Sequence, residues 1–92
     1  GLEIINFKDY AGDNKKKLIR LRSRLIGSKG KARSVVEKLT QCHISVYGKT
    51  VSIIGDLHKL SVASRGLIKL LTGSKHGATY GFIEREMRKI DY

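Results

Sequence analysis

The chain has 92 residues, 40% hydrophobic and 29% charged, with 19 Lys and Arg against 8 Asp and Glu and a net charge of +11. That length suits one domain, which buries about 60–65% of the surface its unfolded form exposes and leaves little room for a large internal cofactor. The composition excludes a disordered chain, the lack of any apolar run near ~20 residues excludes a helical membrane span, and the single Cys42 excludes an internal disulfide or a multi-cysteine zinc site. One unpaired cysteine and no signal-peptide pattern point to an intracellular setting, and Gly1 in place of Met is what a cut-out domain would show. The charge concerns partners rather than fold, and it favours a polyanion, nucleic acid before anionic membrane.

Leu2-Glu3-Ile4-Ile5-Asn6-Phe7 reads as a short strand, rich in β-branched and aromatic residues. Asp9 to Asn14 reads as a loop ending in a helix N-cap, Asp13 or Asn14. Lys15 to Ile26 reads as a helix whose apolar stripe is Leu18, Leu21 and Leu25, with Lys16, Arg20 and Arg24 on another face. Gly27-Ser28-Lys29-Gly30 is a tight break. Lys31 to Gln41 reads as a second helix with Ala32, Val35, Val36 and Leu39 on one side.

The period then changes from helical to alternating. His43 to Tyr47 and Thr50 to Ile54 read as strands joined at Gly48-Lys49. Asp56 caps a helix carrying Leu60, Ala63, Leu67, Leu70 and Leu71, which Gly73 ends. Ser74 to Gly77 reads as a linker. Thr79 to Ile90 reads as a last helix, with Tyr80, Ile83, Met87 and Ile90 at helical spacing. The expected architecture is α+β, a single domain over 1–92 with a core at about 2–72 and an added helix at about 79–91.

The basic excess is local. Lys15 to Lys38 holds ten basic residues against Glu37 alone, so +9 of the net +11 lies in 24 residues. A solvated helix face rarely concentrates one sign so strongly, because like charges one turn apart repel. The break at Gly27 to Gly30 sits inside this stretch. Its glycines permit a sharp turn and close approach of another chain, and the following helix begins with free N–H groups aimed at the loop. A GxxG alone occurs often by chance, so the surroundings decide its weight.

Those surroundings resemble a type I KH domain, whose β-α-α-β-β-α order includes a GxxG loop that clamps about four nucleotides. The resemblance runs from Arg24 to Ile54. Ile26-Gly27-Ser28-Lys29-Gly30 matches the family's Ile-Gly-x-x-Gly, Val36 falls where an aliphatic recurs, and Thr40 precedes the helix exit. Two positions depart from the pattern: Arg33 replaces an aliphatic residue and Gln41 replaces a glycine. A narrower resemblance covers nearly the whole chain. Leu2 to Ile5, Ile44 to Gly55, His76 to Tyr80 and Phe82 to Arg85 are similar to the second KH domain of archaeal small-subunit assembly factors of the Partner-of-Nob (Dim-two) family. Members carry two KH domains, so the chain looks like the C-terminal half or a short relative.

The resemblance implies a non-catalytic, cytoplasmic protein that binds single-stranded RNA during small-subunit maturation. The implied target is the 3′ region of small-subunit rRNA, and the implied protein partners are the alpha subunit of translation initiation factor two and the endonuclease that trims the rRNA end. In this reading Gly27, Ser28, Lys29 and Gly30 hold the backbone. Lys29, Lys31, Arg24 and Arg20 neutralise phosphates. Arg33 either enters the groove or adds charge from outside it. Ile26 and Val36 line one side of the base groove, Ile44 and Val46 the other, and the strand backbone near Ile44 and Ser45 reads base edges. Ile44 and Val46 are equally open to a reading as ordinary core. Neutralising about five phosphates gives a salt slope of roughly −3.5.

Other signals are weaker. Gly48-Lys49-Thr50 resembles the end of a P-loop, but His43 stands where the first glycine belongs and a strand follows. His43, His58 and His76 lack metal-ligand spacing, and no cofactor is expected. Cys42 reads as a small buried side chain. The competing functions are a helix-turn-helix DNA binder and a KH-shaped adaptor, with Leu57 to Leu71 and Thr79 to Tyr92 as docking helices. A membrane role lacks the Trp/Phe-rich apolar face it would need.

Overall fold

In the computed structural model, which describes residues 1–90, three strands and five helices follow the order β1 (Leu2–Asn6), α1 (Lys8–Ala11), α2 (Lys15–Ile26), α3 (Lys31–Thr40), β2 (His43–Tyr47), β3 (Thr50–Ile54), α4 (Leu57–Leu71) and α5 (His76–Ile90). The strands form one antiparallel sheet in the order β1-β3-β2. Its register aligns Ile5 with Val51 and Val51 with Val46, and it aligns Ile53 with both Glu3 and Ile44. Alternation sends Ile5, Ile44, Val51 and Ile53 to the helix layer, where all four are buried. The opposite face is open to solvent and carries Leu2, Ile4 and Ile54, each more than half exposed.

The core lies between sheet and helices. Phe7, Leu25, Ile44, Ile53, Leu67, Leu70 and Ile83 are its large, fully buried side chains. Asn14, not Asp13, caps α2, its Oδ1 accepting from the Lys17 N–H at 3.0 Å. Asp56 caps α4 as expected, its Oδ1 accepting from the His58 N–H at 3.1 Å. Ser64 on α4 donates its hydroxyl to Glu3 on β1 at 2.8 Å, tying the helix to the sheet's edge strand. Gly66 lets α5 cross α4 closely, since a Cβ there would lie 2.6 Å from the Ile83 Cδ1. Cys42 is buried, as expected.

Three local expectations need correction. The segment read as a loop after β1 contains the one-turn helix α1, because Phe7 turns into the core and its carbonyl accepts from the Tyr10 and Ala11 N–H groups. α3 ends at Thr40 rather than Gln41. Gln41 adopts the left-handed φ of 57°, and its N–H closes on the Glu37 carbonyl. This is the position where the family pattern has glycine, and the backbone shows why: a left-handed residue suits glycine best at a helix C-terminus. α5 starts at His76, three residues earlier than the periodicity indicates, so the linker shortens to Ser74 and Lys75 on the α5 side. Asp91 and Tyr92, the end of the helix read as a docking surface, lie outside the described residues.

Candidate nucleic-acid interface

The α2–α3 connection is a single 3-10 turn over Ser28–Gly30 bounded by two glycines of different kinds. Gly27 has φ 78°, and a Cβ there would sit 2.7 Å from the backbone nitrogen of Ala32, so both conformation and space demand glycine. Gly30 has φ 74° with open space around it, so only its conformation favours glycine. Between them Lys29 holds φ 55° and ψ 29°, a left-handed conformation that a non-glycine residue adopts at a cost. Ser28 and Lys29 are exposed at the tip. No side chain caps α3; the Lys31 N–H instead closes the turn by donating to the Ser28 carbonyl, and the Lys31 side chain stands exposed at the first helical position. The loop thus presents two exposed cations, Lys29 and Lys31, with no acid in the adjoining turn.

The basic residues of α2 divide between two faces, and Arg22, which sequence reasoning did not single out, lies on the loop side. Ile19, Arg22, Ser23 and Ile26 recur at helical spacing and line a recess with Gly27 and Ser28. This face continues directly into the loop. Arg20 lies on another face, with Lys17, Leu71, Thr72 and Gly73. Arg24 serves the fold: its Nε donates to the Leu70 carbonyl at 2.9 Å and its Nη2 to the Ser74 carbonyl. Its guanidinium thereby satisfies carbonyls at the end of α4, where a cation also opposes the negative end of the helix dipole. Of the two α2 residues expected at phosphates, Arg24 is thus engaged by carbonyls and Arg20 lies on a face away from the loop. The signal that marks the other face is Ile19 with Ile26, an apolar pair outside the Leu18–Leu21–Leu25 stripe and flanking Arg22.

The groove residues also separate. Ile26 is half-buried at the loop, whereas Val36 and Ile44 are fully buried and belong to the core. Val46 is partly exposed, and the Ser45 side chain points to the open face of the sheet. β2 is an edge strand, so its outward backbone groups have no strand partner. Glu37 on α3 reaches across to this edge, its Oε2 accepting from the Ile44 N–H at 2.8 Å. The amide of Ile44 therefore points outward and is occupied. Antiparallel alternation then turns the Val46 N–H and C=O to the same edge and those of Ser45 toward β3. Arg33 lies one turn before Glu37 on α3, half-buried, and its Nε is enclosed without a hydrogen-bond partner. Sequence reasoning missed Glu37, whose role depends on two elements meeting in space.

Part of the charge on α4 and α5 is paired. Glu86 accepts from Arg65 at 2.9 Å and Lys89 at 2.7 Å, and these hydrogen bonds hold its carboxyl below the usual range. Among the described residues, no three His, Cys, Asp or Glu side chains gather as a metal site would require, and no helix is long and apolar enough to cross a membrane.

The fold agrees with comparison to known proteins. A family model described as the eukaryotic-type KH domain (KH-domain type I), specific to the second such domain of PNO1, matches residues 1–88. The chain belongs to the type I KH family. A KH domain-containing protein of Methanocaldococcus jannaschii is 43% identical over 89 residues, 97% of this chain and 39% of the relative. A crystal structure from Aeropyrum pernix, of a protein of unknown function, superposes with a TM-score of 0.97 at 34% identity, covering 99% of this chain and 48% of the other. The Pyrococcus horikoshii a/eIF2alpha–aDim2p–rRNA complex contains a chain that superposes with a TM-score of 0.85 at 42% identity, covering all of this KH domain and 48% of that chain. This KH domain therefore spans about half or less of the length of these relatives.

Proposed function

We propose that this KH domain binds single-stranded RNA without catalysing a reaction, and that its target is the 3′ region of small-subunit rRNA during ribosome biogenesis. The observation that carries the reading is the loop itself: Gly27 packed against Ala32, Ser28 and Lys29 exposed at the tip, and an uncapped α3 behind them. The backbone of about four nucleotides crosses this loop. Arg22, Lys29 and Lys31 meet phosphates, and Arg33 enters from the α3 side. Bases lie against Ile19 and Ile26, with the outward backbone of Val46 reading a base edge. Sequence discrimination in such a groove comes from the strand edge and shape, since stacking surfaces along α2 are absent. The rRNA and the alpha subunit of initiation factor two are the partners that the P. horikoshii complex supports by similarity. The rRNA-trimming endonuclease is a further proposed partner, resting on the family resemblance.

The test is fluorescence anisotropy with a ~12-nucleotide RNA copying the small-subunit rRNA 3′ end and a scrambled control. Ser28→Asp/Lys29→Asp places two negative charges on the loop, and Asp tolerates the left-handed conformation of residue 29. The expected result is selective binding by the wild type and a loss of more than about tenfold in the folded variant. Equal binding by both proteins contradicts the reading and favours the adaptor. With Arg24 engaged by carbonyls and Arg20 on another face, about four phosphates are neutralised, for a salt slope near −2.8.

A further inference from the structure

α5 brings two aromatic rings to the loop. The His76 ring nitrogen Nε2 lies 2.9 Å from the Arg24 carbonyl oxygen. A carbonyl only accepts, so Nε2 carries the proton. Tyr80 follows one turn later, its ring edge-on to His76 with centroids 6.2 Å apart. The two rings, with Gly27, Ser28, Lys31 and Ala32, line a recess of about 250 Å3. This recess shares Gly27 and Ser28 with the one along α2 and no other residue. It is therefore a second depression against the same loop, reached from the α3–α5 side.

Its lining differs in kind from the α2 face. The α2 recess offers aliphatic walls, whereas this one offers two flat π-surfaces beside a cation. Unpaired bases stack on such rings regardless of sequence, and a neighbouring Lys or Arg takes the phosphate. The other Phe and Tyr side chains among the described residues are placed differently: Phe7 is in the core, Tyr10 lies with Lys17 and Arg20 on the face away from the loop, Phe82 lies beneath Lys69 and Arg65, and Tyr47 is on the far hairpin. The Tyr80 phenol is neutral at physiological pH, as any phenol is, and burial moves it further in that direction, so it does not repel phosphate.

We propose that the His76–Tyr80 recess is a binding site for one unpaired nucleobase adjacent to the stretch held by the GxxG loop, with Lys31 contacting its phosphate. The site rests on the RNA-binding reading and extends it: the strand passes over the loop and continues onto α5. A KH domain without α5 would hold about four nucleotides, and this one holds an additional stacked base.

The experiment is an abasic scan of the ~12-nucleotide RNA, each oligonucleotide titrated against wild type, Tyr80→Leu and Ser28→Asp/Lys29→Asp, with thermal melts of each protein. The expected result is one position outside the four-nucleotide core where base removal costs the wild type roughly tenfold. Tyr80→Leu, still bound to intact RNA, loses about the same factor and becomes insensitive to that abasic site. Tyr80→Trp keeps both. A wild-type scan with no sensitive position outside the core overturns the site, and that result needs no variant to fold. A sensitive position that Tyr80→Leu retains also overturns it. Failure of the underlying reading looks different: wild type and the loop variant then bind every oligonucleotide alike, and the proposal falls with it.

Discussion

Arg22 and Arg24 stand two residues apart on α2, and the fold uses them in opposite ways. Arg24 turns inward along the end of α4 and closes the carbonyls of Leu70 and Ser74. Arg22 stays exposed on the face shared with Ile19 and Ile26, which runs into the GxxG loop. One helix thus carries a basic residue that holds the domain together and another that is free for a ligand. Composition cannot separate them. Each belongs to the same run of positive charge, and only the position of α4 decides which carbonyls are within reach.

The comparison is broken most severely at Gly27, where both faces meet the loop. Gly27→Ala places a methyl against the backbone of Ala32 at a left-handed φ, and is expected to destabilise the domain by about 2–4 kcal/mol. RNA affinity falls with it, and denaturant melts alongside anisotropy check both. Arg24→Met separates the two roles. It removes charged hydrogen bonds at the α4 terminus and is expected to cost about 2 kcal/mol of stability, while RNA affinity below the melting transition stays within about twofold. Arg22→Ala is its mirror. Stability changes by less than about 0.5 kcal/mol, as for an ordinary surface position, and RNA affinity drops about three- to tenfold with a shallower salt slope.

Two left-handed residues sharpen the contrast further. Lys29 and Gln41 hold nearly the same φ, 55° and 57°. Gln41→Gly relieves the helix C-terminus and loses an exposed hydrogen bond from the Lys59 Nζ, so it is expected to raise stability by about 0.5 kcal/mol and leave RNA affinity unchanged. Lys29→Gly gains the same backbone relief and loses RNA affinity. The smallest effect is at Glu86. Its carboxyl is held below its ordinary range by hydrogen bonds from Lys89 and Arg65. The stabilisation is present above the unfolded value of 4.5 and is lost as pH falls through the lower folded value. Glu86→Gln should therefore flatten the acid limb of a stability–pH curve and leave neutral-pH RNA binding unaltered.

The same distinction explains what could be read in the sequence. The hairpin of β2 and β3 was legible because His43 to Tyr47 and Thr50 to Ile54 alternate, and alternation is a local property. The glycine-bounded loop was legible because it lies between two helical periods. α1 was hidden because a single turn has no period, and it forms when Phe7 drops into the core. The start of α5 was hidden because Ser74 to Gly77 has linker composition, whereas the helix gains a contact from His76 to the end of α2. The site was legible at the loop and poorly legible beside it. Periodicity put Arg20 and Arg24 on one face but could not say which face adjoins the loop. Val36 and Ile44 had the right character for a groove and proved to be core. Glu37 was passed over as the lone acid in a basic stretch, yet it occupies the Ile44 amide on the sheet's open edge.

The central claim is that the ligand face is the loop with Ile19, Arg22 and Ile26, and not the equally basic face one helical step away. The most direct measurement is 15N NMR titration of the chain with the ~12-nucleotide RNA. The account predicts the largest amide shifts at Ile19, Arg22, Ile26 to Lys31 and Val46, with Lys17, Arg20 and Arg24 little changed. Shifts centred on Lys17, Arg20 and Thr72, or on Leu2, Ile4 and Ile54 of the open sheet face, would contradict it.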